Sequence, residues 1–236
     1  RGQRAVSVPW RDRQRHDRLV LDQLQDVEAR HLRQHVVLFR VGVLALQGDF
    51  EAHRRILESL GATVREVRVP ADLEGLDGLV MPGGESTTMT LGIEREGLAE
   101  PLRAFHAAGR PLFGTCAGLI MLDREHLGIM DIVAARNAFG RQVRSFEEDI
   151  DLGLEGGPVR AVFIRAPWVR ERGPGVEVLA EVDGHPVAVR EGTVLAISFH
   201  PELSGDSRVH AAFLADVAMA ALGLEPGSGT ALVQLD

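Results

Sequence analysis

From Val41 onward the chain alternates between two spacings of apolar residues: short unbroken runs bounded by glycine or proline, and stretches with apolar positions three or four apart. Val41-Gly-Val-Leu-Ala-Leu46 is uncharged and predicts a buried strand. Asp49 through Leu60 carries helical spacing and stops at Gly61. Thr63 to Val69 predicts a second strand and Gly78 to Met81 a third. A helix is expected to start near Ser86, and another runs from about Leu98 to Ala108, ahead of Gly109. Pro111 to Thr115 predicts a fourth strand, and Ala117 to Leu122 opens the next helix. Strand–helix alternation of this kind implies an α/β fold with a mostly parallel central sheet covered on both faces. After about Ile132 strands dominate: Ile132 to Ala138, Val159 to Arg165, Val176 to Val182, Val187 to Arg190 and Val194 to Phe199. A closing helix, Ser207 to Leu222, should turn Val209, Phe213, Leu214 and Val217 inward.

The first forty residues read differently. They carry Arg1, Arg4, Arg11, Arg13, Arg15, Arg18, Arg30, Arg33 and Arg40, without glycine-punctuated strands. Leu21, Leu24 and Val27 hint at a helical stripe from about Leu19 to His35. No apolar run there is long enough for a signal peptide or a membrane span. The composition predicts three parts: an arginine-rich extension over residues 1–40, disordered or not native to the domain; a folded domain over 41–222; and a flexible glycine-rich tail over 223–236.

Composition removes several kinds of chemistry. All 26 basic residues are arginines, so no lysine is present to form a Schiff base or to serve a Walker A phosphate loop. One cysteine in 236 residues makes neither an internal disulfide nor a cysteine-rich zinc site, which points to a reducing, cytoplasmic setting. A formal charge of −8 argues against nucleic acid as a partner. Neither metal nor other cofactor is expected, nor a membrane.

The sole cysteine stands in Gly114-Thr-Cys116-Ala-Gly118, between an apolar strand and a helical run. This is the nucleophile-elbow pattern with cysteine in place of serine. The glycines permit a tight turn, and the helix N-terminus lowers a thiol's pKa and offers backbone N–H groups to an oxyanion. A lone cysteine is more often a buried structural residue; the strand–elbow–helix setting reverses that preference. Ser198-Phe-His200-Pro-Glu202 at the end of a late strand supplies a base and its orienter. In an extended segment His200 and Glu202 would point the same way. A metal-binding or zinc-deaminase reading of His-x-Glu lacks its Cys-x-x-Cys. The other eight histidines carry no such pattern and read as surface or packing residues. Met81-Pro-Gly83-Gly84-Glu85-Ser86 ends another strand; its glycines allow close backbone approach to a ligand, and Ser86 is placed to cap the next helix.

Together these residues resemble the class I, or triad, glutamine amidotransferases. Six blocks in order narrow the resemblance: Leu44 to Asp49, Pro82 to Thr87, Cys116 to Leu119, Arg136 to Gln142, Val162 to Pro167 and Ser198 to Glu202. They are similar to the glutaminase subunit of pyridoxal 5′-phosphate synthase, over about Val41 to Leu222. The resemblance implies a three-layer, flavodoxin-like domain that hydrolyses L-glutamine to glutamate and ammonia through a cysteinyl thioester. It implies Cys116 as nucleophile with His200 and Glu202 as relay, and Gly84, Glu85, Ser86, Arg136, Ile164 and Arg165 as glutamine-binding positions. Backbone N–H groups near Gly83, Gly84 and Ala117 would hold the oxyanion, with Gln47 beside them as a gate. The implied partner is a separate, lysine-bearing synthase subunit in a large hetero-oligomer that receives the ammonia. Two departures stand out: the first forty residues have no counterpart in the family pattern, and the stretch from Leu122 to Leu127 is shorter. The alternatives are a glutaminase of another amidotransferase pathway and a non-catalytic binding module on the same fold.

Removing residues 1 to about 38 should leave activity and melting temperature nearly unchanged, because that segment lacks the apolar density to anchor in a core. Thermal melts and turnover of the truncated chain check this; a loss of many degrees would show that the arm packs on the domain.

Overall fold

The computed structural model of the chain describes residues 39–136 and 145–223. The anticipated helical stripe before His35, the tail beyond Gly223 and the segment 137–144 lie outside the described residues. Phe39 and Arg40, expected in the extension, belong instead to the folded domain. Thr63 donates its N–H to Phe39 O, Arg40 N–H is held by the Asp77 carboxylate, and the Phe39 ring packs against the core.

Strands β1 (Arg40–Leu44), β2 (Thr63–Val67), β3 (Gly78–Met81) and β4 (Leu112–Thr115) are joined by helices α1 (Phe50–Ser59), α2 (Ser86–Arg95) and α3 (Ala99–Ala107). Helix α4 (Ala117–Leu122) follows β4 directly. Next come β5 (Ile132–Ala135), β6 (Ser145–Ile150), β7 (Val159–Ile164), β8 (Trp168–Arg172), β9 (Glu177–Val182), β10 (His185–Glu191), β11 (Val194–Ile197) and a closing helix α5 (Arg208–Ala221). The central sheet has seven strands in the order β2-β1-β3-β4-β11-β10-β9. Its β2, β1, β3, β4 and β11 are parallel, and at one edge β10 runs antiparallel to both β11 and the outermost strand β9. Asp183 and Gly184, both at positive φ, form the two-residue β9–β10 turn, the Asp-Gly pairing that such hairpins favour.

Because successive strand residues point to opposite faces, the sheet sorts its side chains into two cores. Leu79, Met81, Leu112 and Ala196 face α2, α3 and α4, whereas Val43, Val80, Phe113 and Ile197 face α1 and α5. Two strands escaped the sequence pattern. Ser145-Phe-Glu-Glu-Asp-Ile150 is mostly exposed and pairs with β7, where Arg160 bridges to Glu147 and Asp149 across the ladder. Trp168-Val-Arg-Glu-Arg172, also charged, pairs with β5. Both lie on small two-stranded sheets with a solvated face, so charge hides their periodicity. The short Leu122–Leu127 stretch forms a compact turn. The buried Asp123 carboxylate accepts the N–H groups of Glu125, His126 and Ala134 there.

Two fully buried histidines, His53 of α1 and His210 of α5, meet beneath the Phe113 ring with Nδ1 of the first 2.8 Å from Nε2 of the second. Burial, and the neighbouring His210 and His200, push His53 well below the ordinary histidine range. Burial takes His210 down to about 4, with the Asp206 charge opposing. A histidine lowered on folding resists protons that the unfolded chain accepts, so stability falls as pH drops from about 6.5 towards 4. For His210 the loss amounts to roughly 3 kcal/mol. Substituting His210→Gln should flatten the dependence of melting temperature on pH in that window, whatever its melting temperature at neutrality. An unchanged slope would show that other groups carry acid unfolding.

Candidate active site

Four strands of the central sheet, β1, β3, β4 and β11, lead into residues at one edge, outside their carboxyl ends, where open α/β sheets bind their ligands, and β5 and β7 of the small sheets bring further residues there. After β4 the chain turns at Cys116, whose φ of 48° and ψ of −105° are strained for a residue with a side chain. The turn is held from both sides: Cys116 N–H donates to Ile197 O at 2.8 Å, and a Cβ on Gly118 would run into Met81 O. Glycine at 118 is therefore what lets α4 start close enough to β3 for the thiol to stand at its N-terminus.

After β11, Phe199 is buried in the core and His200 follows at the strand's end. The expected route to the His200–Glu202 pair was an extended strand. The structure instead curls Pro201–Leu203 into a 3-10 turn, and that turn brings the Glu202 carboxylate back to His200 Nδ1 at 2.7 Å. Proline after His200 fixes the backbone angle that begins the turn. His200 N–H also donates to Val162 O at 2.8 Å, tying the end of β7 to the same point. Burial alone would lower the His200 imidazole, but hydrogen bonds to Cys116 and Glu202, and their charges, outweigh it and raise the group to about 10.

The Pro82–Ser86 turn lies alongside. A Cβ on Gly83 would collide with the His200 ring, and one on Gly48 with Gly83 O, so glycine is required at both contacts. Ser86 does not cap α2, contrary to expectation. It is the first helical residue and buried, whereas the longer Glu85 side chain reaches back to Thr87 N–H at 3.2 Å and Thr88 N–H at 2.7 Å. The Thr88 backbone N–H, its hydroxyl and Thr87 N–H hold the Glu85 carboxyl down at about 2. Gln47, at the end of β1, accepts Glu85 N–H through Oε1 at 3.0 Å and rests against Gly84, while its Nε2 is buried without a partner.

A cleft of about 180 Å³ opens between these segments. Cys116, Ala117, His200, Gly84, Glu85, Ser86, Arg136, Ile164 and Arg165 line it, and so do Ile120 and Pro167, which were not among the site residues expected from the sequence. Arg136 lies 3.6 Å from Glu85 and donates to Thr87 Oγ1. Arg165, at φ 45°, turns the chain at the end of β7, and Ile164 O faces the Cys116 sulfur at 3.9 Å. The cleft is small against the ~300–1,000 Å³ of drug-sized pockets, which suits an amino acid. A larger open groove of about 590 Å³ around Asp149, Arg160 and Arg208 lies apart from the thiol. Its charges are paired among themselves, Arg160 with Asp149 and Arg208 with Asp206. Among the described residues no three His, Cys, Asp or Glu side chains are grouped to hold a metal ion.

His53, read from the sequence as a surface or packing residue, lies at the back of this site. Its Nε2 is 3.3 Å from Glu202 Oε2 and 3.3 Å from Thr115 Oγ1. The available signal was its place four residues before Leu57, on the buried stripe of α1.

Comparison with known proteins agrees with this geometry. The family model described as "SNO glutamine amidotransferase family" matches residues 43–219. The chain is 57% identical over 194 residues, 76% of its length and 94% of the relative's, to "Pyridoxal 5'-phosphate synthase subunit PdxT" of Acidothermus cellulolyticus. It is 53% identical over 186 residues to the protein of that name from Deinococcus radiodurans, covering 74% of this chain and 95% of the relative. A solved structure described as "Crystal structure of glutamine amidotransferase" superposes with a TM-score of 0.70 at 49% identity, over 75% of this chain and 98% of that one. A putative GMP synthase subunit from Thermoplasma acidophilum shares the fold at 18% identity, with a TM-score of 0.61 over 80% of this chain and 98% of the other. With a thiol at a strained elbow, a paired imidazole and carboxylate behind it and a family match across the whole sheet, the chain belongs to the SNO glutamine amidotransferase family.

Proposed function

We propose that this chain hydrolyses L-glutamine to L-glutamate and ammonia at Cys116, and that the ammonia serves pyridoxal 5′-phosphate synthesis on a separate subunit. The observation that carries the reading is the Cys116–His200–Glu202 arrangement, with its 2.7 Å imidazole–carboxylate contact, opening on a cleft of amino-acid size. The relatives' printed name supports the pathway.

In the first half-reaction the Cys116 sulfur attacks the glutamine carboxamide carbon, forming the S–C bond. His200 gives its proton to the nitrogen as the C–N bond breaks, and ammonia leaves a γ-glutamyl thioester. In the second, His200 takes a proton from water as the oxygen adds to the thioester carbon. The S–C bond then breaks, releasing glutamate and restoring the thiolate. Glu202 orients His200 and stabilises its charged form. Backbone N–H groups near Gly84 and Ala117, with Gly83 setting the turn, hold the oxyanion. Glu85 keeps one acceptor direction free of its helix cap to meet the substrate ammonium, and Arg136 or Arg165 meets the α-carboxylate, with Ser86 and Ile164 O alongside.

A chain without lysine cannot carry imine chemistry on sugar phosphates, so the synthase step belongs to another, lysine-bearing chain, in a large hetero-oligomer. Among the described residues no helix is long and apolar enough to cross a membrane, and the single cysteine suits the cytoplasm.

Substituting Cys116→Ala should abolish turnover, by a factor on the order of 10⁶, as loss of a protease nucleophile does, while circular dichroism stays unchanged. Appreciable residual hydrolysis would sink the assignment. The isolated chain should also be a poor glutaminase that its synthase partner activates. The Gln47–Gly48 loop touches the Gly83–Gly84 turn, so a partner that presses it can reorient a glycine N–H worth roughly 3 to 4 kcal/mol to the transition state. Equal turnover with and without a purified synthase subunit would refute the gate. Full stimulation of a Gln47→Ala variant would move it elsewhere in the loop.

A further inference from the structure

His200 takes one oxygen of the Glu202 carboxylate. The other, Oε2, is sealed from solvent and has no formed hydrogen bond. A buried oxygen in that position is costly unless a donor faces it. His53 Nε2 faces it, 3.3 Å away, from the opposite side to His200.

The histidine pair behind decides which nitrogen of His53 carries the proton. His53 Nδ1 and His210 Nε2 are 2.8 Å apart, so one of the two donates and the other accepts. If His53 Nδ1 donated, its Nε2 lone pair would point at a carboxylate, and His210 Nδ1–H would be a donor buried without a partner. If His210 Nε2 donates, His53 Nε2 carries a proton towards Glu202 and Thr115 Oγ1. The orphaned atom is then a bare His210 Nδ1, an acceptor, and no donor is stranded. The second arrangement aligns every donor towards the carboxylate.

We propose that His53 is a positioning residue for the catalytic pair: as its Nε2–H tautomer it faces Glu202 Oε2 and fixes the carboxylate that orients His200, with His210 setting that tautomer from behind. The proposal rests on the reading of Cys116, His200 and Glu202 given above. The titratable groups around it are Glu202 and His200 on the cleft side and His210 from α5, with Asp206, itself paired with Arg208, acting on His210 from behind. Of the other charges of α1, Glu51, Arg54 and Arg55 pair with one another and with Glu66 at the solvent side, and Glu58 is exposed. Both buried histidines are lowered by burial, in keeping with neutral rings.

The test uses the full chain, its wild-type ¹⁵N-imidazole spectrum, and two variants of similar bulk. His53→Asn keeps a polar atom towards His210 but none that reaches Glu202, and His53→Gln restores an N–H at the Nε2 position. The spectrum should show His53 and His210 as neutral Nε2–H tautomers at pH 7. His53→Asn should lower the midpoint of His200 titration by about one pH unit. In turnover its kcat should fall with KM unchanged, and His53→Gln should recover both. A proton on His53 Nδ1, a wild-type His200 midpoint in His53→Asn, or equal impairment of both variants in step with their melting temperatures would overturn the proposal. If wild-type Cys116 is neither alkylated by iodoacetamide nor active, the glutaminase reading fails, while the His200 titration still decides the role of His53.

Discussion

A side chain can be offered to a substrate at the end of a buried strand only if the backbone turns sharply enough to expose it. At Cys116 that turn takes a positive φ, a conformation that costs about 1 to 3 kcal/mol for a residue with a side chain. The neighbours hold it there. Strand β4 lies at the centre of the sheet between β3 and β11, and the Cys116 N–H continues the ladder to Ile197. The glycine at 118 lets α4 close onto β3. Around that fixed thiol, the registry of the central sheet sets where the ends of β1, β3 and β11 lie, and the small sheets bring Arg136, Ile164 and Arg165 to the opposite wall.

Burial lowers all three histidines of one network, and their partners decide which of them stays lowered. His200 touches both a thiol and a carboxylate, and those partners overcome desolvation and raise it. His53 and His210 are more deeply buried, and there desolvation wins: both are lowered, His53 even with Glu202 Oε2 3.3 Å from its Nε2. The ring in front is raised and the rings behind it are lowered, a contrast that suits the proton transfers proposed for His200.

The Glu85 carboxylate is engaged twice, once as the cap of α2 and once as a wall of the cleft. Its cap contacts fix its orientation before any substrate arrives, which is the preorganisation a recognition site needs. Gln47 supports the same segment by taking Glu85 N–H, which ties the first strand's loop to the cleft wall.

Much of this was legible in the residues themselves. The parallel strands are buried on both faces, so their apolar runs are unbroken, and β3 and β4 emerged within a residue of their observed bounds. The elbow was legible because glycine spacing around a lone cysteine is a local constraint. So was the late His-Pro-Glu, whose two functional groups are neighbours in the chain. What stayed hidden was decided by contacts between distant segments. Strands β6 and β8 are charged and stable only through their partners β7 and β5. The capping of α2 by Glu85 in place of Ser86 depends on which side chain the turn aims at the helix N-terminus. The placing of His53 behind Glu202 joins residues 149 positions apart, because α1 and the turn after β11 pack on one face of the sheet. Local spacing specifies what a segment can form, but only the folded sheet decides which buried polar groups meet, since a burial cost is set by neighbours the sequence does not order.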